Sequence, residues 1–161
     1  MHNLTGNFAG VAMSYELEII DYRSPMYKQV LQLRNEVLRI PLGLHLEEQD
    51  TYEDKDQFIT IAHHENQIMG CLMIKPLSQT VAKLRQMAVY PEHQGKGLGS
   101  TMLYYTENFC LMNGYKVCEL HARKEAIPFY IKNNYFEIGT EFYEVGILHK
   151  KMIKNLEPFI L

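Results

Sequence analysis

LRQMAVYPEHQGKGLGSTMLYY, Leu84 to Tyr105, sets glycines at 95, 97 and 99 between an extended stretch and an apolar-periodic one. Up to Val89 the segment reads as a strand. From Leu98 it reads as a helix. Glycine permits positive φ and lets a ligand approach the backbone without a Cβ in the way. A helix N-terminus adds N–H groups with no intrahelical acceptor and the positive end of the helix dipole. Strand, bare loop and helix entrance together describe an anion-binding turn.

The strand before the loop has a phase change. Ala82 and Leu84 are apolar at even positions, Met87 and Val89 at odd ones. A strand changes its buried face only by inserting a residue, so a β-bulge is expected at Arg85–Gln86. A bulge would part neighbouring strands and open a slot toward the glycine loop.

Outward from this centre the pattern stays legible. Residues 1–13 show no periodicity and read as a disordered leader, and 14–161 as one domain. Tyr15–Tyr22 alternates as a strand. Ser24 and Pro25 suit a helix start, and Met26, Val30, Leu33 and Val37 form one helical face that Pro41 and Gly43 end. The carboxylate-rich LHLEEQDTYEDKDQ reads as a loop or short helix. Phe58–His64 and Gln67–Leu77 form a hairpin about Glu65-Asn66, and Thr80–Val89 follows as a strand. Leu98, Met102, Tyr105, Phe109 and Met112 stripe the central helix, with Gly114 as its cap. YKVCELHA is a strand, AIPFYIKNN a short helix, and FEIGTEF with VGILHKKMI a closing hairpin. The order β-α-β-β-β-α-β-α-β-β is an α/β fold with a mixed sheet flanked by helices.

Composition narrows the function. The chain has 161 residues, 47% hydrophobic and 22% charged, with net charge −3. No basic field points to nucleic acid, and no apolar run is long enough to span a bilayer. Cys71, Cys110 and Cys118 have no metal-ligand spacing and read as buried free thiols in a reducing cytoplasm, so no metal is expected.

Three loop chemistries compete for the glycines. A nucleotide P-loop needs a Lys–Ser/Thr pair after its last glycine, which is missing. A dinucleotide fingerprint needs a third glycine where Ser100 stands, and too little chain remains for a second half. The pattern Q-x-x-G-x-G, at Gln94, Gly97 and Gly99, fits. It resembles the pyrophosphate loop of the GNAT N-acetyltransferase superfamily. Downstream, HARKEAIPFYIKNNYFEIG (His121–Gly139) resembles that family's second cofactor motif at Ala126, Phe129 and Tyr130. Arg123 stands where the family often has Asn, and Asn134-Tyr135-Phe136 replaces a glycine-led turn. LHAR…FY…G…FYEVGILHKKM is similar to a small bacterial branch, the ElaA/YjcF-like proteins. The resemblance spans about Tyr15 to Met152.

It implies the GNAT acyl-CoA N-acyltransferase fold, with a mostly antiparallel sheet, and acetyl-CoA as co-substrate. Gln94, Gly95, Lys96, Gly97, Leu98, Gly99 and Ser100 would hold the pyrophosphate. The backbone of Met87, Ala88 and Val89 would pair with the pantetheine arm. Ala126, Phe129 and Tyr130 would complete the cofactor site, with Tyr130 donating to the leaving thiolate. The acceptor would be a small-molecule or peptide amine, and a homodimer is compatible with the family. An acyl-CoA-binding regulatory or sensor module is the alternative.

A primary amine with a pKa near 10.4 costs roughly 4.6 kcal/mol to deprotonate at pH 7, about 3.4 units at 1.36 kcal/mol each. A base must take that proton. Glu47, Glu48, His121 and His149 are the candidates, with His121 and His149 carried forward as catalytic residues. A cysteine nucleophile is disfavoured, because Cys118 and His121 point to opposite faces of one strand.

Overall fold

Val30 and Leu33, a helical turn apart, are fully buried and fix how the first helix lies on its sheet. The computed structural model describes residues 2–8 and 11–157. These fall into two compact units, one of 2–8, 11–75 and 86–106, the other of 76–85 and 107–157.

In the first unit the strand order is β1 (His2–Phe8), β2 (Val11–Ile20), β3 (Phe58–His64), β4 (Gln67–Pro76) and the last four residues of β5 (Val81–Val89). The first four strands pair antiparallel in sequence. Helix α1 (Tyr27–Arg34) buries Val30 and Leu33 against Ile20, Ile59, Ile61, Cys71, Met73 and Ala88. Beneath it Arg34 forms a buried 2.7 Å ion pair with Asp54, which also accepts from the Tyr27 hydroxyl. The chain leaves α1 through a π turn, Asn35–Arg39, and a 3-10 turn that Gly43 closes at φ +73°. The acidic segment that follows contains two 3-10 turns, Glu48–Thr51 and Asp54–Asp56.

Strand β1 was not foreseen in the sequence. The reading of 1–13 as a disordered leader gives way to a strand over residues 2–8 paired with β2; residues 1, 9 and 10 lie outside the described set. Leu4, Gly6 and Phe8 form its inner row, which ends in Phe8, 2% exposed and edge-on to Tyr15 and His93. Gly6 hides the alternation, since a Cβ there would run into the Phe8 ring. The element order therefore gains one strand at its start.

In the second unit the order is the first five residues of β5, then β6 (Val117–Arg123), β8 (Ile147–Asn155) and β7 (Phe136–Glu144). β5 and β6 run parallel from Val81↔Val117 to Leu84↔Leu120; β8 is antiparallel to β6 and to β7. Helix α3 (Ile127–Lys132) is capped by Asn133 and followed by Asn134, which takes φ +71°. Asparagine is the non-glycine residue best able to hold that conformation, so it serves where the family pattern has glycine. Tyr135, 3% exposed, then donates to Glu107 at 2.8 Å, and Lys154 donates to the same carboxylate.

Helix α2 (Leu98–Met112) corrects the expected stripe. Leu98, Met102, Leu103, Thr106, Glu107 and Cys110 are its buried positions; Tyr105 and Phe109 flank them and Met112 is 86% exposed. Thr106 and Glu107 were passed over as polar, yet each is hydrogen-bonded inside its own unit, Thr106 to Thr60 at 2.6 Å. All three cysteines are free and buried, as expected. No described helix is long and apolar enough to cross a membrane.

Candidate active site

The glycine loop belongs to the first unit, and its geometry is set by the end of β5. Gln86 has φ +53°, a left-handed residue inside a strand, at the expected interruption. Its carbonyl accepts the Cys71 thiol at 3.4 Å, and burial pushes that thiol up to about 12. Beyond it Ala88 is the buried residue, packed with the α1 cluster, while Met87 and Val89 are half-buried. The expected burial of Met87 and Val89 is thus corrected: helices cover both faces here, so parity alone does not pick the inside. Gly70 allows the close fit, because a Cβ there would lie 2.8 Å from Met102 Sδ and 3.1 Å from the Ala88 carbonyl.

Past Val89 the chain makes a 3-10 turn, Pro91–His93. The Gln94 carboxamide then donates back to the Val89 carbonyl at 2.8 Å, tying the loop to the strand end. Gly95 and Gly97 hold φ +74° and +83°, and nothing stands within 4 Å of where their Cβ atoms would be. Both positions therefore need glycine for conformation and face open space. Thr101 N–H bonds to the Gly97 carbonyl at 3.0 Å, which starts α2. The amides of Leu98 and Gly99 fall in the first turn, where a helix offers no acceptors. Lys96 is exposed between the two left-handed glycines. This loop suits a polyphosphate: it offers backbone donors, a helix dipole and an exposed lysine beside two uncrowded left-handed glycines.

Ala126, Phe129, Tyr130, His121 and His149 lie in the second unit. Ala126 closes a short turn before α3, and Phe129 and Tyr130 follow on that helix. Tyr130 is half-buried, edge-on to Phe129 at 5.0 Å and to Tyr135 at 5.7 Å. Burial pushes its hydroxyl up to about 12. His121 and His149, distant in sequence, meet one carboxylate. Glu144 Oε1 is 3.0 Å from His121 Nδ1, and Oε2 is 3.8 Å from His149 Nε2. Phe142 packs against both imidazoles, at 4.8 and 6.0 Å. Glu144 was missed because a glutamate at a hairpin end looks like any solvated charge. Glu47 lies in the first unit, where it and Asp50 cap a 3-10 turn reciprocally, a structural task; Glu48 stands in that same turn.

Residues 44–156 match the family described as acetyltransferase (GNAT) domain. YyaT of Bacillus subtilis is 30% identical over 133 residues, 76% of this chain and 88% of that protein. The N-acetyltransferase YjcF of the same organism is 26% identical over 140 residues, 85% of this chain and 98% of its own. Among solved structures, Escherichia coli ElaA superposes with TM-score 0.76 at 16% identity, covering 88% of this chain and 99% of that one. An acyl-CoA N-acyltransferase from Pseudomonas aeruginosa gives 0.77 at 16%, covering 87% and 99%. A GNAT family acetyltransferase from Elizabethkingia anophelis with acetyl-CoA bound gives 0.64 at 17%, covering 86% and 94%.

Proposed function

From the premise that the chain belongs to the GNAT acetyltransferase family, we propose that it moves an acetyl group from acetyl-CoA directly to a primary amine. The observation that carries this reading is the loop Gln94–Ser100, with two left-handed glycines facing open space at the mouth of α2. Acetyl-CoA would bring an acyl group already activated as a thioester. The loop amides and Lys96 would hold its pyrophosphate, and Met87 to Val89 would offer backbone to its amides, as an added strand does. Ala126, Phe129 and Tyr130 would complete the site, and Tyr130 would hydrogen-bond the departing sulfur. Either His121 or His149 would take the proton of the amine. The solved relative with acetyl-CoA bound supports the choice of donor.

We also take the protein to act in the reducing cytoplasm, in keeping with three free buried thiols. The acceptor on this reading is a small-molecule or peptide amine, not nucleic acid or a membrane, and a homodimer is compatible with it. Calorimetry with CoA and acetyl-CoA, followed by thiol release from acetyl-CoA over a panel of amines, tests the reading. Binding with amine-dependent thiol release is expected. Absence of CoA binding at millimolar concentration overturns it, and binding without turnover favours the sensor alternative.

A further inference from the structure

We infer that Glu144 is a positioning residue that makes His121, and not His149, the proton acceptor of the transfer. The inference rests on the acetyltransferase reading above. His121 lies on β6 and Glu144 ends β7, with β8 between those strands in the sheet order. Their contact is therefore not a product of neighbouring ladder positions. The register shift between Ile138 and Phe142, with Gly139 at φ +79°, sets the end of β7 so that Glu144 reaches across.

Hydrogen-bond chemistry separates the two histidines. An ionised carboxylate only accepts, so at 3.0 Å from Glu144 the Nδ1 of His121 must carry a proton. The neutral ring then presents its lone pair on Nε2. His149 Nδ1 donates to the Ile147 carbonyl at 2.8 Å, and its ring stacks on Phe142. Its side chain is 5% exposed against 23% for His121. His149 is thus held inside, while His121 has the more exposed side chain of the two.

Charges around the pair come from each strand. Lys83 stands on β5, Glu119 and Arg123 on β6, His149 and Lys151 on β8, with Lys151 paired to Glu119 at 3.3 Å. Burial raises the Glu144 pKa. The hydrogen bond that His121 donates, with the electrostatic contributions of His121, His149 and Lys83, outweighs it, so the carboxyl ends below its usual range. Glu144 therefore stays an anion at neutral pH. In the inferred step an N–H bond of the acceptor's ammonium breaks and its electron pair stays on the amine nitrogen. The proton bonds to His121 Nε2, Nδ1 keeps its own proton, and Glu144 balances the imidazolium before water removes the proton.

Glu144→Gln keeps size and an acceptor oxygen but removes the charge; Glu144→Asp restores it. We expect Glu144→Gln to lower kcat roughly 10- to 100-fold with the KM for acetyl-CoA unchanged, and Glu144→Asp to recover part of the loss. His121→Gln should lose about 10² to 10⁴-fold. Nitrogen-15 NMR of the free enzyme should show His121 as the Nδ1–H tautomer, relaxing to a mixture in Glu144→Gln. A folded Glu144→Gln enzyme with wild-type kcat, or an Nε2–H tautomer at His121, overturns the inference. Wild-type protein that binds acetyl-CoA but releases no thiol with aliphatic amines or lysine peptides overturns the acetyltransferase reading instead. The tautomer measurement still decides the Glu144 contact in that case.

Discussion

The glycine loop of the first unit and the His121–Glu144–His149 cluster of the second differ in which part of the chain would do the proposed chemistry. The loop uses backbone. Its requirement is a conformation, and a conformation leaves glycines at fixed spacing in one short stretch. The cluster uses side chains from three strands, 23 residues apart between His121 and Glu144. Its requirement is a meeting point, which no local pattern encodes. A backbone site should therefore tolerate no side chain at its left-handed positions. A side-chain site should tolerate any change that keeps a donor or a charge in place.

The largest effect expected on cofactor binding is in the loop. Gly97→Val introduces no clash, because nothing lies within 4 Å of the Cβ position. Its cost is conformational: φ +83° is disfavoured for any L-residue by roughly 1 to 2 kcal/mol, and more for a β-branched one. The loop should relax to negative φ and turn its amides away. We expect CoA to bind on the order of 10²-fold more weakly, since each 1.4 kcal/mol is tenfold. Thermal stability should barely move. Gly97→Ala should fall between the two. Calorimetry giving a wild-type Kd for Gly97→Val would remove the loop from the site.

A smaller effect is expected at Tyr130, the side chain proposed to meet the sulfur. With its hydroxyl pushed up to about 12, full proton transfer to a thiolate near 8.5 is uphill by about 5 kcal/mol. Tyr130 therefore serves as a hydrogen-bond donor. Tyr130→Phe should bind acetyl-CoA normally and turn over on the order of 10- to 100-fold more slowly, at or below the low end of acid catalysis. A raised tyrosine pKa keeps the neutral donor to higher pH. Alkaline loss of turnover from Tyr130 should thus be absent near pH 10 and set in only toward about 12. An alkaline limb near pH 10 that vanishes in Tyr130→Phe would contradict that assignment.

The same division explains how much the sequence showed. Phe58–His64 and the start of β4 were legible because apolar alternation and a turn pair mark a hairpin, and both turn residues, Glu65 and Asn66, do take positive φ. The interruption at Gln86 was legible as a phase change. Strand β1 was not, because Gly6 sits on its inner row and removes the apolar signal there. The buried face of α2 was only half legible, since Thr106 and Glu107 satisfy their polar groups inside and so defeat hydropathy. In the cluster, both histidines could be singled out as residue types. Glu144 could not, because its meaning depends on a strand register that local residues do not announce.

The smallest effect concerns the turn that carries Glu144. Val145 and Gly146 connect β7 to β8 with φ +51° and +73°, the signs of a type I′ hairpin turn. Glycine takes the second position without strain, but valine is among the residues least suited to the first. The hairpin in the other unit meets the same demand with Glu65 and Asn66. Val145 is 46% exposed, so its side chain contributes little burial to offset the strain. Val145→Asn should therefore stabilise the protein by about 1 kcal/mol, read as a higher urea midpoint at unchanged slope. Its effect on turnover sharpens the comparison. If the turn only connects strands, kcat stays at the wild-type value while stability rises. A fall in kcat along with the gain would mean that the strained valine helps aim Glu144 at His121, so that this side-chain site also depends on one backbone conformation.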